Sequence, residues 1–331
     1  MPRTLRAQHD CFPLIRPFRI ARGTKTAADV VAVTIGDGAA SGRGEAVPYP
    51  RYGETIEGTL AAIERVRPLI EQGGGRTELL DALPAGAARN AIDCALWDLE
   101  ARLACSNVAT MIGGQKLHAI ASAMTLGIDT PDAMAREAAA LAGAPVLKIK
   151  VDAGDPAACI RAVRAAAPDA ELIVDPNESW GRSLMEAIQP VLVETGVALL
   201  EQPVPAEADD WLEGWSAAVP ICADESVHVA ADLDAVARRY RAVNVKLDKA
   251  GGLTAALELA QAARMRGLGV MTGCMVGSSL SIAPALHVAM MSDFVDLDGP
   301  VWLREDRPGG ITARGGFIDP PDAGFWGTAE T

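Results

Sequence analysis

The sequence predicts an α/β protein, a modified (β/α)8 barrel preceded by an N-terminal α+β capping domain. Two observations carry this. From about Ala119 onward, eight short apolar runs alternate with Ala-rich helical stretches. Such alternation implies parallel strands joined by right-handed crossovers. Before that point strand patterns come first and helix patterns follow, the order of an α+β unit. A chain of 331 residues is long enough for both.

In the capping region Val30–Ile35 (VVAVTI) is a β-branched run closed by the turn residues Gly36, Asp37 and Gly38. Ser41–Glu45 reads as the returning strand of an antiparallel pair, and Pro48–Gly53 (PYPRYG) as a loop. Thr55–Glu71 is helical in pattern. A second helix over Ala87–Leu103 carries Ile92, Leu96, Leu99 and Leu103 on one stripe. The barrel strands are expected at Ile120–Leu126, Val146–Val151, Ala170–Asp175, Val197–Glu201, Ile221–Ala223, Ala242–Leu247, Gly269–Gly273 and Phe294–Leu297. A doubly wound sheet would show a Gly-rich first βα turn, and neither GxGxxG nor GxxxxGK occurs.

Composition narrows the function. The formal charge is −13, which argues against nucleic acid and against an anionic membrane surface. The first residues lack a signal-peptide core, and no apolar run approaches the roughly 20 residues of a membrane helix, so a cytoplasmic protein is expected. The six cysteines form no CxxC pair and read as free thiols. The four histidines show no metal-ligand spacing, so the acid–base chemistry falls to other groups.

Catalytic groups in such barrels sit where strands end. The second run ends in Lys148-Ile149-Lys150, the third in Asp175, the fourth in Glu201, and the fifth in Asp224-Glu225. The sixth carries Lys246, and the eighth Asp296 and Asp298. Three carboxylates at successive strand ends would repel one another unless a hard cation sits among them. Oxygen-only ligation favours Mg²⁺, with Mn²⁺ the alternative, and Asp175, Glu201 and Asp224 are its candidate ligands. Lysines on strands two and six would face a substrate from opposite sides. One neutral lysine could take a proton alpha to a carboxylate, and the other could return it with inversion. Burial and a neighbouring cation would lower the pKa of that base.

At these residues the chain resembles the enolase superfamily, specifically its muconate-lactonising subgroup. The matching motifs are KIK (148–150), DPNESW (175–180), EQP (201–203), ADES (223–226), NVKLDKAGGL (244–253) and DLDGP (296–300). Within that subgroup ARGTKT (21–26), GEAVPYPRYGE (44–54) and the DLD segment are similar to the dipeptide epimerases, in particular the L-Ala-D/L-Glu epimerases. The resemblance covers essentially the whole chain. It implies a cap over 1–113, a barrel over 114–303 and a segment over 304–331 that returns to the cap.

The resemblance also implies roles. Lys150 and Lys246 would be the acid–base pair, with Lys148 binding the substrate carboxylate and depressing Lys150. Asp296 and Asp298 would hold the α-ammonium of a dipeptide. Arg22 in the first cap loop is the candidate partner of a glutamate side chain, and Tyr52 lies in the second cap loop. Thr125, ending the first barrel strand, would touch substrate. Asn177 and Glu225 would support the metal ligands. Met275 would line the pocket, and Lys249 would be structural.

The implied activity is Mg²⁺-dependent epimerisation of a dipeptide, in salvage of L-Ala-D-Glu from cell-wall peptide. N-acylamino acid racemase, o-succinylbenzoate synthase and muconate cycloisomerase keep the same lysines. Their substrates lack a free ammonium, which leaves the DLD pair little purpose. Acid-sugar dehydratases rely on a His–Asp dyad, and no histidine here stands at the sixth or seventh strand end. A non-catalytic amino-acid-binding barrel would be signalled by a missing lysine or carboxylate, and none is missing. The second residue of the dipeptide and the oligomeric state, a homo-oligomer included, stay open.

Overall fold

A computed structural model of the chain describes residues 3–141 and 143–328. The cap begins with a long hairpin. Strands β1 (Thr4–Ile20) and β2 (Gly23–Asp37) pair antiparallel from Thr4 opposite Gly36 to Ile20 opposite Gly23. Strand β3 (Ala40–Ala46) adds to the other side of β2, so β1 is an edge. The sequence pattern missed β1, because Pro13 and Pro17 interrupt it. An edge strand tolerates the lost N–H groups, and the register shifts between Pro13 and Phe18.

Helices α1 (Ile56–Glu71), α2 (Arg76–Ala82) and α3 (Ala87–Leu103) follow. The helix α3 presses close against β3. A Cβ on Gly42 would stand 2.2 Å from the Ala95 carbonyl oxygen, and one on Gly44 2.2 Å from that of Ala91. Only glycine permits this approach. The other face of α3 meets the barrel, so the helix is buried nearly all round. Leu103, expected on the apolar stripe, is instead exposed at its last turn.

The expected run Ile120–Leu126 divides in two. Strand β4 (Ile120–Ala121) pairs with the hairpin β13 (Thr312–Arg314) and β14 (Phe317–Asp319). The barrel proper runs β5 (Met124–Leu126), β6 (Val146–Lys150), β7 (Glu171–Asp175), β8 (Val197–Glu201), β9 (Ile221–Ala223), β10 (Ala242–Val245), β11 (Gly269–Gly273) and β12 (Phe294–Asp296). The eight strands are parallel neighbours in chain order. The Ala123 N–H donates to the Val295 carbonyl at 2.8 Å and draws the first and last strands together. Ala123, just before β5, joins Ile173, Leu199, Cys222, Ala242 and Met271 from five barrel strands in a separate small core cluster.

Cap and barrel are stitched by buried polar contacts. Asp93 accepts from Thr254 Oγ1 at 2.6 Å, and Asp248 accepts from the Val47 N–H and Asn90 Nδ2, each at 2.9 Å. The C-terminal segment crosses back to the cap, where Trp326 Nε1 donates to the Arg43 carbonyl at 2.9 Å. At the tip of the β1–β2 hairpin, the Arg19 carbonyl accepts from the Ile128 N–H at 3.0 Å. That contact holds Arg22 over the strand ends. Among the described residues no helix is long and apolar enough to cross a membrane.

Candidate active site

The cleft lies between the hairpin tip, the loop around Tyr52 and the C-terminal ends of the barrel strands. Lys148, Lys150, Lys246, Asp224, Glu225, Asn177, Thr125, Asp296, Asp298, Arg22 and Tyr52 all line it. Met275 lines it too, beside Trp302 and Phe18. Asp175 and Glu201 do not reach the cleft wall. Both are fully buried, behind the lysines.

Parallel register explains the arrangement. Lys150 stands opposite Asp175, and Thr125 opposite Lys148. Alternation puts Lys148 and Lys150 on one face of β6. Lys148 Nζ lies 2.6 Å from Glu201 Oε2, 2.7 Å from Asp296 Oδ2 and 3.1 Å from Asp175 Oδ2. Lys150 Nζ lies 2.5 Å from Asp175 Oδ2. Lys246 Nζ lies 2.6 Å from Asp224 Oδ2, and Lys249 Nζ 2.6 Å from Asp224 Oδ1. Lys249 also donates to the Asn244 carbonyl at 3.1 Å and to the Asp224 carbonyl. Its structural role is therefore to hold Asp224. Asn244 Nδ2 steadies Glu201 from the next strand but one, donating to Oε1 at 2.9 Å.

These contacts set the protonation states. Burial works to lower the pKa of Lys148, but Asp296, Glu201 and Asp175 outweigh it and leave it well above the ordinary value. Lys246 behaves alike: burial lowers, Asp224 and Glu201 raise, and the result is raised. In this arrangement the carboxylates dominate, and Lys246 is an ammonium, the form of a proton donor. Asp224 is held well below the usual carboxylate range, because Lys246 and Lys249 overcome its burial.

Three buried carboxylates on adjacent strand ends offer only hard oxygen donors, which suits a divalent cation such as Mg²⁺. Among the described residues no three His, Cys, Asp or Glu side chains stand in coordinating geometry, since each of these carboxylates is turned onto a lysine. The donor set still fits. Asp175, Glu201 and Asp224 are buried with lysine ammonium groups as their only cationic partners, and Asp296 Oδ1 beside them accepts no hydrogen bond among the described residues.

The end of the cleft around Asp296 and Asp298 is acidic. Asp298 Oδ2 accepts from the Thr125 N–H at 2.7 Å and from Trp302 Nε1 at 3.4 Å. Burial and neighbouring Asp296 push its pKa up to about 6. At the opposite end stand cations. Arg22 lies 2.6 Å from Glu225 Oε1 and 3.0 Å from Glu178 Oε2, and donates to Tyr49 Oη at 3.1 Å. Its charge is thus already matched inside the protein. Sequence reasoning missed Lys25, three residues on, which also lines the cleft. Lys25 has no ion pair among the described residues, and its Nζ sits 5.1 Å from the centre of the Tyr49 ring. Burial lowers its pKa, which Asp29 and Asp248 only partly offset. The signal was present in ARGTKT, which carries two cations. Tyr52 packs edge-on against His228, ring centres 4.5 Å apart, and closes the cleft on that side.

A parallel barrel with lysines on opposite sides of a carboxylate-lined cleft defines an enzyme of proton transfer at acidic carbon. Comparison with known proteins places it further. Residues 3–113 match the mandelate racemase / muconate lactonizing enzyme N-terminal domain, and residues 132–325 the enolase C-terminal domain-like family. The chain belongs to the mandelate racemase and muconate lactonizing enzyme family of the enolase superfamily. It is 47% identical over 306 residues to the L-Ala-D/L-Glu epimerase of Escherichia coli, covering 92% of this chain and 95% of that one. A crystal structure of an enolase family member from Agrobacterium tumefaciens, with bound sodium and L-Ala-L-Glu, matches at a TM-score of 0.96 and 47% identity. It covers 98% of this chain and all of the other. The dipeptide epimerase of Enterococcus faecalis, complexed with Mg and L-Leu-L-Tyr, matches at a TM-score of 0.91 and 29% identity, over the full length of both chains.

Proposed function

We propose that this protein is an Mg²⁺-dependent dipeptide epimerase acting on L-Ala-D/L-Glu by 1,1-proton transfer at the α-carbon of the second residue. One observation carries the reading. Lys150 on β6 and Lys246, directly after β10, line the same cleft from strands four apart in an eight-strand barrel, hence from opposite sides. One lysine takes the α-proton from one face, and the other delivers a proton to the opposite face. Asp175, Glu201 and Asp224 would hold Mg²⁺, which supplies compensation for the negative charge developing on the substrate carboxylate. Lys148, between three carboxylates, fixes the positive edge of the carboxylate site. Asp298 and Asp296 receive the dipeptide ammonium. Lys25, with Arg22 beside it, faces the glutamate side chain and favours an acidic second residue.

Salvage of L-Ala-D-Glu from cell-wall peptide, in the cytoplasm, is the role this specificity supports. The test is incubation of L-Ala-L-Glu with the enzyme and Mg²⁺ in D₂O. Deuterium at the glutamate α-carbon together with the L,D product is expected. Recovery of unlabelled L-Ala-L-Glu would overturn the proposal.

A further inference from the structure

We infer that Gln202 is a positioning residue that fixes the spacing of the Glu201 and Asp224 carboxylates and thereby sets the affinity for the divalent cation. The inference rests on the reading of Asp175, Glu201 and Asp224 as cation ligands. Gln202 directly follows Glu201 at the end of β8 and is fully buried. Backbone pairing between β8 and β9 ends at Glu201 opposite Cys222. Beyond that point the Gln202 side chain takes over from the ladder. Its Oε1 accepts from the Asp224 N–H at 2.8 Å and from the Ser226 N–H at 3.1 Å.

The amide is itself pinned. Nε2 lies 2.9 Å from the Val204 carbonyl, 2.9 Å from Ser226 Oγ and 3.0 Å from Tyr240 Oη. Ser226 and Tyr240 each donate to Asp209 at 2.7 Å, which ties the group to a buried carboxylate. The main chain of Gln202 bonds to both neighbouring strand ends. Its N–H donates to the Cys222 carbonyl, and its carbonyl accepts from the Glu178 N–H, each at 2.9 Å. One residue therefore links the ends of β7, β8 and β9, the strands that carry the three carboxylates. It does so with φ at +30°, a conformation unfavourable for a residue with a side chain. Such a conformation persists where the surroundings over-determine it, and is concentrated at functional sites. Partners of metal-ligating carboxylates tune affinity without touching the metal.

The experiment is calorimetric titration of Mg²⁺ into the wild-type protein, Gln202→Met and Tyr240→Phe, with thermal unfolding of each without added metal. Q202M keeps the length of the side chain and removes both polar atoms. Its Mg²⁺ affinity is expected to fall by about 10- to 100-fold. Y240F removes one partner of Nε2 but leaves the contact to the Asp224 N–H. It is expected to lower the unfolding temperature and keep the wild-type affinity. A purely structural Gln202 would give Q202M a lower unfolding temperature with unchanged affinity, and that result would overturn the inference. Should Q202M not fold, Gln202→Glu keeps an acceptor for both N–H groups. Retained Mg²⁺ affinity in Q202E is then expected, and a loss of roughly tenfold or more overturns the assignment. Absence of Mg²⁺ binding by the wild type would instead bring down the ligand assignment itself.

Discussion

Lys246 Nζ stands 2.6 Å from Asp224 Oδ2, while the second oxygen of that carboxylate is held by Lys249 at the same distance. The two lysines are not equivalent. Lys249 is also tied to the Asn244 and Asp224 carbonyls, whereas Lys246 has one ion pair and lines the cleft. In the proposed reaction Lys249 would therefore keep Asp224 in place while Lys246 engages substrate. The buried pairing also explains why a raised lysine pKa and a depressed Asp224 pKa occur together.

From this division follows a stereochemical prediction. Lys150→Ala and Lys246→Ala are each expected to lose epimerisation by at least about 10²- to 10⁴-fold, the usual worth of a positioned acid or base. Each variant should still exchange the α-proton of one diastereomer, L,L or L,D, and the two should differ in which. Proton NMR in D₂O with each diastereomer reads this directly. Equal exchange of both diastereomers by either variant would show that one lysine serves both faces.

Much of this site was legible because its residues lie at strand ends, where the period of the βα units spaces them. Lys150, Asp175, Glu201, Asp224 and Lys246 each terminate or follow an apolar run, so pattern alone brought them to one rim. The eight barrel strands were readable for the same reason. What sequence could not supply was side-chain partnership. Arg22 reads as the partner of a substrate glutamate, but the fold brings Glu178 and Glu225 onto it from the barrel. Lys25 reads as one more polar strand residue, yet the hairpin tip turns it into the cleft. Strand β1 was hidden by its prolines, which only an edge position allows. Gln202 carries no charge and no periodic signal, and its reach across three strands depends on a left-handed backbone that sequence does not display.

Substrate charge selection is expected to depend on Lys25. A charged hydrogen bond contributes about 1.5–3 kcal/mol, so Lys25→Met should cost about 10- to 100-fold in kcat/KM for L-Ala-L-Glu. Turnover of L-Ala-L-Ala, which has no side-chain carboxylate, should change little. Arg22→Ala should reduce turnover of both dipeptides, because it releases buried Glu225 and Glu178. Steady-state kinetics with the two substrates distinguishes the residues. Equal losses on both substrates in the Lys25 variant would remove it from recognition.

The acidic end of the cleft yields a second selectivity. Asp298→Asn keeps an oxygen to accept from the Thr125 N–H but removes the charge that matches an ammonium. Turnover of L-Ala-L-Glu is expected to fall by about tenfold or more, while any turnover of N-acetyl-L-Ala-L-Glu should fall less. Comparing kcat/KM ratios between the two substrates cancels a general loss of activity. A ratio unchanged from wild type would place the ammonium elsewhere.

Stability should fall as pH rises from about 4 to 7, and Asp248 is a principal reason. Buried between cap and barrel, it accepts from the Val47 N–H and Asn90, but burial pushes its pKa up to about 7 from 3.8. Over that window the folded protein binds more protons at this site than the unfolded chain, so raising the pH favours unfolding. Asp93, also raised, to about 6, acts in the same direction in the upper part of acid pH. Asp248→Asn keeps an acceptor oxygen facing both donors and has no charge to bury. Its unfolding temperature should therefore exceed that of the wild type at pH 8, and the advantage should vanish near pH 4. Thermal unfolding of both proteins across this range, at fixed ionic strength, reads the difference. A constant offset between them at every pH would mean that the Asp248 carboxyl does not titrate at this seam.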